Sequence, residues 1–218
     1  MESTIGALVD VDVIVTQCIA DDTRPTSDFF NYLDNHRIGL LTEEIRNNAR
    51  YRVRKQGPKY TGNKLSSIMR RFDDIDSRLK LEKIPFRKSE ENLQKVRELF
   101  NDLFKEKGYT IPSMVPNYLR KTVSEVYLEQ RTSIGDSIDK VFCEPILDED
   151  LKVIATALTL KEKYKDMYVV SLDGHIIHEN TSAAIKNRFG VTCGRPNEIL
   201  QTIKDLSKGK SISNTCGL

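Results

Sequence analysis

Five acidic residues in this chain close apolar runs or open helical patterns in a way that could bring them to one point. Asp10 follows the run Ile5 to Val9, and Glu43 and Glu44 follow Ile38 to Leu41. Asp150 opens the string Asp150-Leu151-Lys152-Val153-Ile154-Ala155-Thr156-Ala157-Leu158, and Asp173 closes Tyr168-Val169-Val170-Ser171-Leu172. Carboxylates gathered in one crevice repel each other unless a cation lies among them, and an all-oxygen ligand set suits a hard ion such as magnesium or manganese. An ion held this way can activate water and stabilise the leaving oxygen in an in-line attack on a phosphodiester. Taken singly, each acid is more readily a helix cap or a solvated loop residue. Their recurrence at successive strand ends is what favours a metal centre.

For these acids to meet, the runs before them must be buried parallel strands, whose carboxyl ends form the ligand-binding edge of an α/β sheet. Residues 5–15 are almost wholly apolar and β-branched, interrupted by Asp10 and Asp12. They read as a buried strand running into a helix or loop, with strand alternation placing both acids on one face. Thr26 or Ser27 could cap a short helix carrying Phe29, Phe30 and Leu33. Thr42 is placed to cap the helix after the second strand, with Glu43 and Glu44 in its first turn. In the middle of the chain Leu93, Val96, Leu99, Phe100, Leu103 and Phe104 recur at helical spacing up to Gly108, and a further helix begins near Pro116. A short helix and turn over 135–145 lead back to the main fold.

The last third alternates again. Leu151, Ile154, Ala155 and Leu158 form one helical stripe. A helix over 183–189 stops at Gly190, a strand covers 191–193, and a final helix over 196–206 begins at Pro196. The pattern predicts one α/β domain over 1–210, a central and mostly parallel sheet flanked by helices, with a helical insertion over about 60–135 and a tail at 211–218.

Composition sets outer limits. The chain has 218 residues and a formal net charge of +2, so global charge says nothing about nucleic acid. Cys18, Cys143, Cys193 and Cys216 show no metal-binding spacing. With no signal-peptide pattern, a reduced cytoplasmic setting is expected. No apolar run approaches the roughly 20 residues of a membrane span, so no membrane association is expected.

The residue order resembles that of the PIN-domain nucleases over about 5–50 and 145–206. The similarity lies in the first apolar strand ending Val9-Asp10-Val11-Asp12-Val13, an acid after the second strand, the Asp150 to Ala157 helix, Ser171-Leu172-Asp173, and the later Gly190-Val191 and Pro196 to Leu200. The resemblance implies a three-layer PIN-like fold and a metal-dependent endoribonuclease. It assigns Asp10, Glu44, Asp150 and Asp173 to one or two magnesium or manganese ions, with 5′-phosphate and 3′-hydroxyl products. Ser171 matches the hydroxyl two residues before the last acid and would position a ligand or the scissile phosphate. RNA is then the substrate; an antitoxin or an RNA-processing complex as partner, and a homodimer, are left open. The pattern departs at the second acid, whose usual place reads Arg46-Asn47-Asn48, so Glu43, Glu44 and the Asn48 neighbourhood all stay in play. Asp12 stands where a small polar residue is usual.

A basic run strengthens the nucleic-acid reading. Between Arg46 and Arg71 there is no acid, and Arg46, Arg50, Arg52, Arg54 and Lys55 are followed by Lys59, Lys64 and Arg70, with Tyr51 and Tyr60 interleaved. That composition suits phosphates and unpaired bases, although charge runs are ordinarily solvated surface. Asp148 is a better helix cap than ligand. His175 and His178 are expected at the surface or on the substrate side and do not form a zinc site. Two alternatives stand beside the nuclease: an inactive PIN-like scaffold binding RNA or protein, and a haloacid dehalogenase-type phosphatase with Asp10 as nucleophile and Asp12 as acid.

Overall fold

The computed structural model describes residues 4–19, 24–61, 64–106 and 148–213. Five strands form one parallel sheet: β1 (Ile5–Val9), β2 (Gly39–Thr42), β3 (Lys80–Glu82), β4 (Asp166–Val170) and β5 (Val191–Gly194), in the spatial order β3-β2-β1-β4-β5. Nine helices are present among the described residues: α1 (Val11–Ile19), α2 (Arg24–His36), α3 (Glu43–Thr61), α4 (Leu65–Arg78), α5 (Phe86–Glu106), α6 (Asp148–Leu160), α7 (Gly174–Ile177), α8 (Glu179–Phe189) and α9 (Pro196–Ser213). The result is the expected α/β architecture, a sheet between two helical layers consistent with a PIN-like fold.

Burial explains the central strands. β1 pairs with β4 from Ile5 against Asp166 to Val9 against Val170, and Ala7, Leu8, Val9, Val169 and Val170 are completely buried. Strands covered on both faces need side chains that are apolar throughout, which is why these runs do not alternate. Gly6 is required by close approach: a Cβ there would lie 2.8 Å from both the Tyr164 ring and a Leu40 methyl. Gly190 ends α8 in the left-handed region at φ 64°, its N–H donating to the Lys186 carbonyl, as expected for a helix-stop glycine.

The helices fall into two groups. α1, α3 and α4 pack together, with α2 joining α4 and α9 joining α2; α5 lies along α6 and touches α8. α5 buries Leu93, Val96, Leu99 and Phe100, each worth about 1.5–3 kcal/mol of transfer free energy. Asn92 ties α5 to α6 by donating to Thr159 Oγ1 at 3.0 Å.

Several local expectations needed correction. The first strand stops at Val9, and α1 begins at once, because Asp10 caps it: Val11 N–H donates to Asp10 Oδ1 at 2.6 Å and Ile14 N–H to the Asp10 carbonyl. Asp12 therefore lies on a helix and shares no strand face with Asp10. β3 sits within the stretch expected to be helical, where its Lys-Leu-Glu is too short and too polar to announce a strand. α9 runs to Ser213, into the span expected to be tail. The expected helix near Pro116, the turn over 135–145, Gly108, and the side chains of Thr26, Ser27, Tyr60, Phe104 and Asp148 lie outside the described residues. No described helix is long and apolar enough to cross a membrane.

Candidate metal centre

The strand order reverses between β1 and β4, so the crevice at the carboxyl ends of these two strands is where an α/β sheet takes its ligand. Asp10 leaves β1 there and Asp173 lies three residues beyond the end of β4. Asp150 lies in the first turn of α6, a helix that packs on β4. All three line a cavity of about 380 Å³.

Ser171 joins two of the acids. It is fully buried, donates from Oγ to Asp10 Oδ2 at 2.7 Å, and accepts from the Asp173 N–H at 3.0 Å. It thus fixes a carboxylate and has no surface for a phosphate. Asp10 is only 6% exposed. Burial, reinforced by the charges of Asp12 and Asp173, outweighs the hydrogen bonds from Ser171 and Val11 and pushes its carboxyl up to about 6. Asp173 is treated otherwise. Burial raises its pKa, but the His175 ring and the His175 and Ile176 N–H groups more than offset that, so its carboxyl is held below the usual range. The cap geometry shows why: His175 N–H donates to Asp173 Oδ1 at 2.7 Å at the start of α7, and His175 Nδ1 lies 3.3 Å from the same oxygen.

Among the described residues, one group of side chains offers ligand atoms mutually within 4.8 Å: Asp150, Asp173 and His175. These fit a divalent cation by donor chemistry, and Asp10 beside them is a buried carboxyl with no cation of its own among the contacts described. His175 is the residue that the sequence did not single out as a ligand. Its side chain is 11% exposed and so is not a surface group. The signal that could have found it is Asp173-Gly174-His175, since an aspartate capping a short helix turns the residue two positions on back toward its carboxylate.

Glu44 lines the same cavity but stands outside that tight group. It is in the first turn of α3, 61% exposed, with Lys152 Nζ at 3.5 Å. Thr42 caps this helix as expected, accepting from Ile45 N–H at 3.4 Å. Asn48, Tyr51, Arg52 and Lys55 continue the cavity wall along the same face of α3. The basic run is therefore divided. Arg52 and Lys55 face the cavity, Arg46 turns to Asp76 of α4 with Nη2 at 2.6 Å, and Arg50 and Arg54 are exposed away from the lining. Asp12 forms an ion pair with Arg52. The acid of the phosphatase alternative is thus already engaged.

Comparison of the chain with protein-family models, curated proteins and solved structures gave no match.

Proposed function

We propose that this protein is a PIN-like, magnesium- or manganese-dependent endoribonuclease. The observation that carries the reading is the convergence of Asp150, Asp173 and His175 within 4.8 Å of one another beside buried Asp10, at the strand-order reversal of a parallel sheet. Asp150, Asp173 and Asp10 would hold the ion, with His175 as a further ligand or as the group that keeps Asp173 ionised, and Glu44 at the rim. When bound, the ion supplies charge neutralisation at the phosphate and an activated water. The chain's own residues do the rest. Ser171 and the Val11 N–H hold Asp10 in place, and His175 orients Asp173. Lys55 and Arg52, in the lining of the same cavity, present cations to a polyanion. In the overall reaction water adds to phosphorus and the P–O3′ bond breaks, leaving a 3′-hydroxyl on one fragment and a 5′-phosphate on the other.

Calorimetry with manganese and cleavage of a labelled RNA test this together. The native chain should bind manganese and cleave, and Asp173→Asn should retain its fold while losing about a thousandfold in rate, the equivalent of several kcal/mol of transition-state stabilisation. No binding at millimolar manganese, or full activity in Asp173→Asn, would sink the reading. Manganese binding and RNA binding without cleavage would instead favour the scaffold alternative.

A further inference from the structure

The acid-lined cavity continues past Arg52. A second and more open depression, about 390 Å³, shares Asp12, Arg52 and Gln56 with the first and extends over Val15, Ile19 and Leu172. Asp12 on α1 and Arg52 on α3 thus form a ridge between an acidic chamber and an apolar trough. Both side chains are 39% exposed, and Asp12 accepts from Arg52 Nη1. No other partner of this guanidinium is found among the described residues.

We propose that Arg52, fixed by Asp12, is a phosphate clamp for single-stranded RNA passing from the acids into the trough. It holds the backbone phosphate next to the scissile one, and the neighbouring base lies over Val15, Ile19 and Leu172. The inference takes its substrate from the nuclease reading, and three physical points support it. A guanidinium has five donors in a planar fork, so the edge turned to Asp12 leaves another edge for a phosphate oxygen. Anchoring that long side chain before RNA arrives removes much of the ordering cost of binding. An uncharged base suits an apolar trough only when unpaired, so the strand crossing the ridge is single. The Asp12–Arg52 pair is neutral as a unit, so it positions more than it attracts. Lys55, one turn further along the same face, adds net positive charge.

The test uses the full chain with a fluorescein-labelled single-stranded oligouridylate. Binding is followed by anisotropy in EDTA over a series of salt concentrations, and cleavage is followed with manganese. Arg52→Ala should weaken binding about tenfold and flatten the slope of log Kd against log salt by about 0.7, the contribution of one phosphate contact on a single strand. Arg52→Lys should keep the slope yet recover only part of the affinity, because an ammonium cannot serve Asp12 and a phosphate with one rigid fork. Asp12→Asn removes a negative charge from the strand's path and loses the anchor, effects of opposite sign on affinity, so Kd should change little, while kcat should drop about tenfold as the clamp loosens. A mere surface tie between α1 and α3 would move neither the salt slope nor kcat.

Wild-type affinity and slope in Arg52→Ala overturn the clamp, and wild-type kcat in Asp12→Asn overturns the role of Asp12. Arg52→Gln keeps the two inner methylenes and repeats the measurement should the alanine variant fail to fold. Arg52-dependent binding without any cleavage leaves the clamp standing and counts against the nuclease reading. Cleavage indifferent to both substitutions does the reverse.

Discussion

Asp10 and Glu82 stand at the carboxyl ends of β1 and β3, exposed to 6% and 8%, and their surroundings differ in sign. Glu82 accepts from Tyr164 Oη at 2.6 Å, from Lys163 Nζ at 2.9 and 3.0 Å, and has Lys80 Nζ at 3.0 Å. Burial raises its pKa, but these donors outweigh burial and its carboxyl is held below the usual range. Asp10 receives one hydroxyl and one backbone N–H, and the charged groups acting on it are Asp12 and Asp173. A buried anion is stable when a cation is built in beside it. Glu82 has two lysines of its own, whereas Asp10 has none among the contacts described, and under the proposed reading its cation comes from outside. That contrast separates a carboxylate holding the fold together from one held ready by the fold.

The sharpest way to break the comparison is Asp10→Asn. It should abolish RNA cleavage, by about a thousandfold or more, because the variant removes an anion from the proposed ion site. It should also stabilise the metal-free protein at neutral pH by about 3 kcal/mol, the linkage equivalent of moving a carboxyl from 3.8 to about 6. The sign follows from the raised folded value. Below the unfolded pKa both states are protonated and Asp10 costs nothing. As pH rises from about 4 through 6 the unfolded chain ionises first, so metal-free stability falls across that window. Glu82 acts oppositely: its contribution is present above about 4.5 and is lost as pH falls through its depressed folded value. Thermal unfolding from pH 2 to 7, in EDTA and in manganese, separates them. Manganese should flatten the Asp10 contribution, and an unchanged pH profile in Asp10→Asn would remove the claim.

The complementary substitution is Glu82→Gln. Lys80 and Lys163 are about half exposed and remain solvated without their partner, so the loss is discounted for screening to about 1–2 kcal/mol. Cleavage at a temperature well below unfolding should be unchanged. A large loss of activity with an intact fold would make Glu82 more than structural and erase the distinction drawn from Asp10.

Much of the Asp10 side of this contrast was legible in the sequence and little of the Glu82 side was. Asp10, Asp150 and Asp173 could be placed because an apolar run of strand length, or a helix stripe, carries its terminal acid to a known edge of a parallel sheet. Glu82 could not, since Lys80-Leu81-Glu82 gives no apolar run, and its partners Lys163 and Tyr164 come from a turn far along the chain. Asp12 lies on α1 rather than on the strand that its neighbours suggest, for a related reason. Val11, Val13, Ile14 and Val15 have strand propensity, but Asp10 caps a helix there and burial of those side chains sustains it. Its pairing with Arg52 depends on how α1 packs on α3, which no local pattern encodes.

Glu44 gives the smallest expected effect and the finest test of the cavity. Sequence resemblance implies that it is a ligand, whereas its position, 61% exposed and 3.5 Å from Lys152, puts it in the cavity lining outside the Asp150, Asp173 and His175 group. Glu44→Gln should leave the fold nearly untouched, costing at most about 1 kcal/mol of favourable interaction with the α3 dipole. It should reduce kcat at saturating manganese by less than about tenfold, the scale of a residue supporting an ion from outside its coordination sphere. A loss comparable to that of Asp10→Asn would mean that Glu44 leaves Lys152 and joins the ion when the site is filled. Lys152→Met distinguishes the two cases: freeing Glu44 should tighten manganese binding if Glu44 is a ligand in waiting, and leave it unchanged if the rim carboxylate only tunes the field.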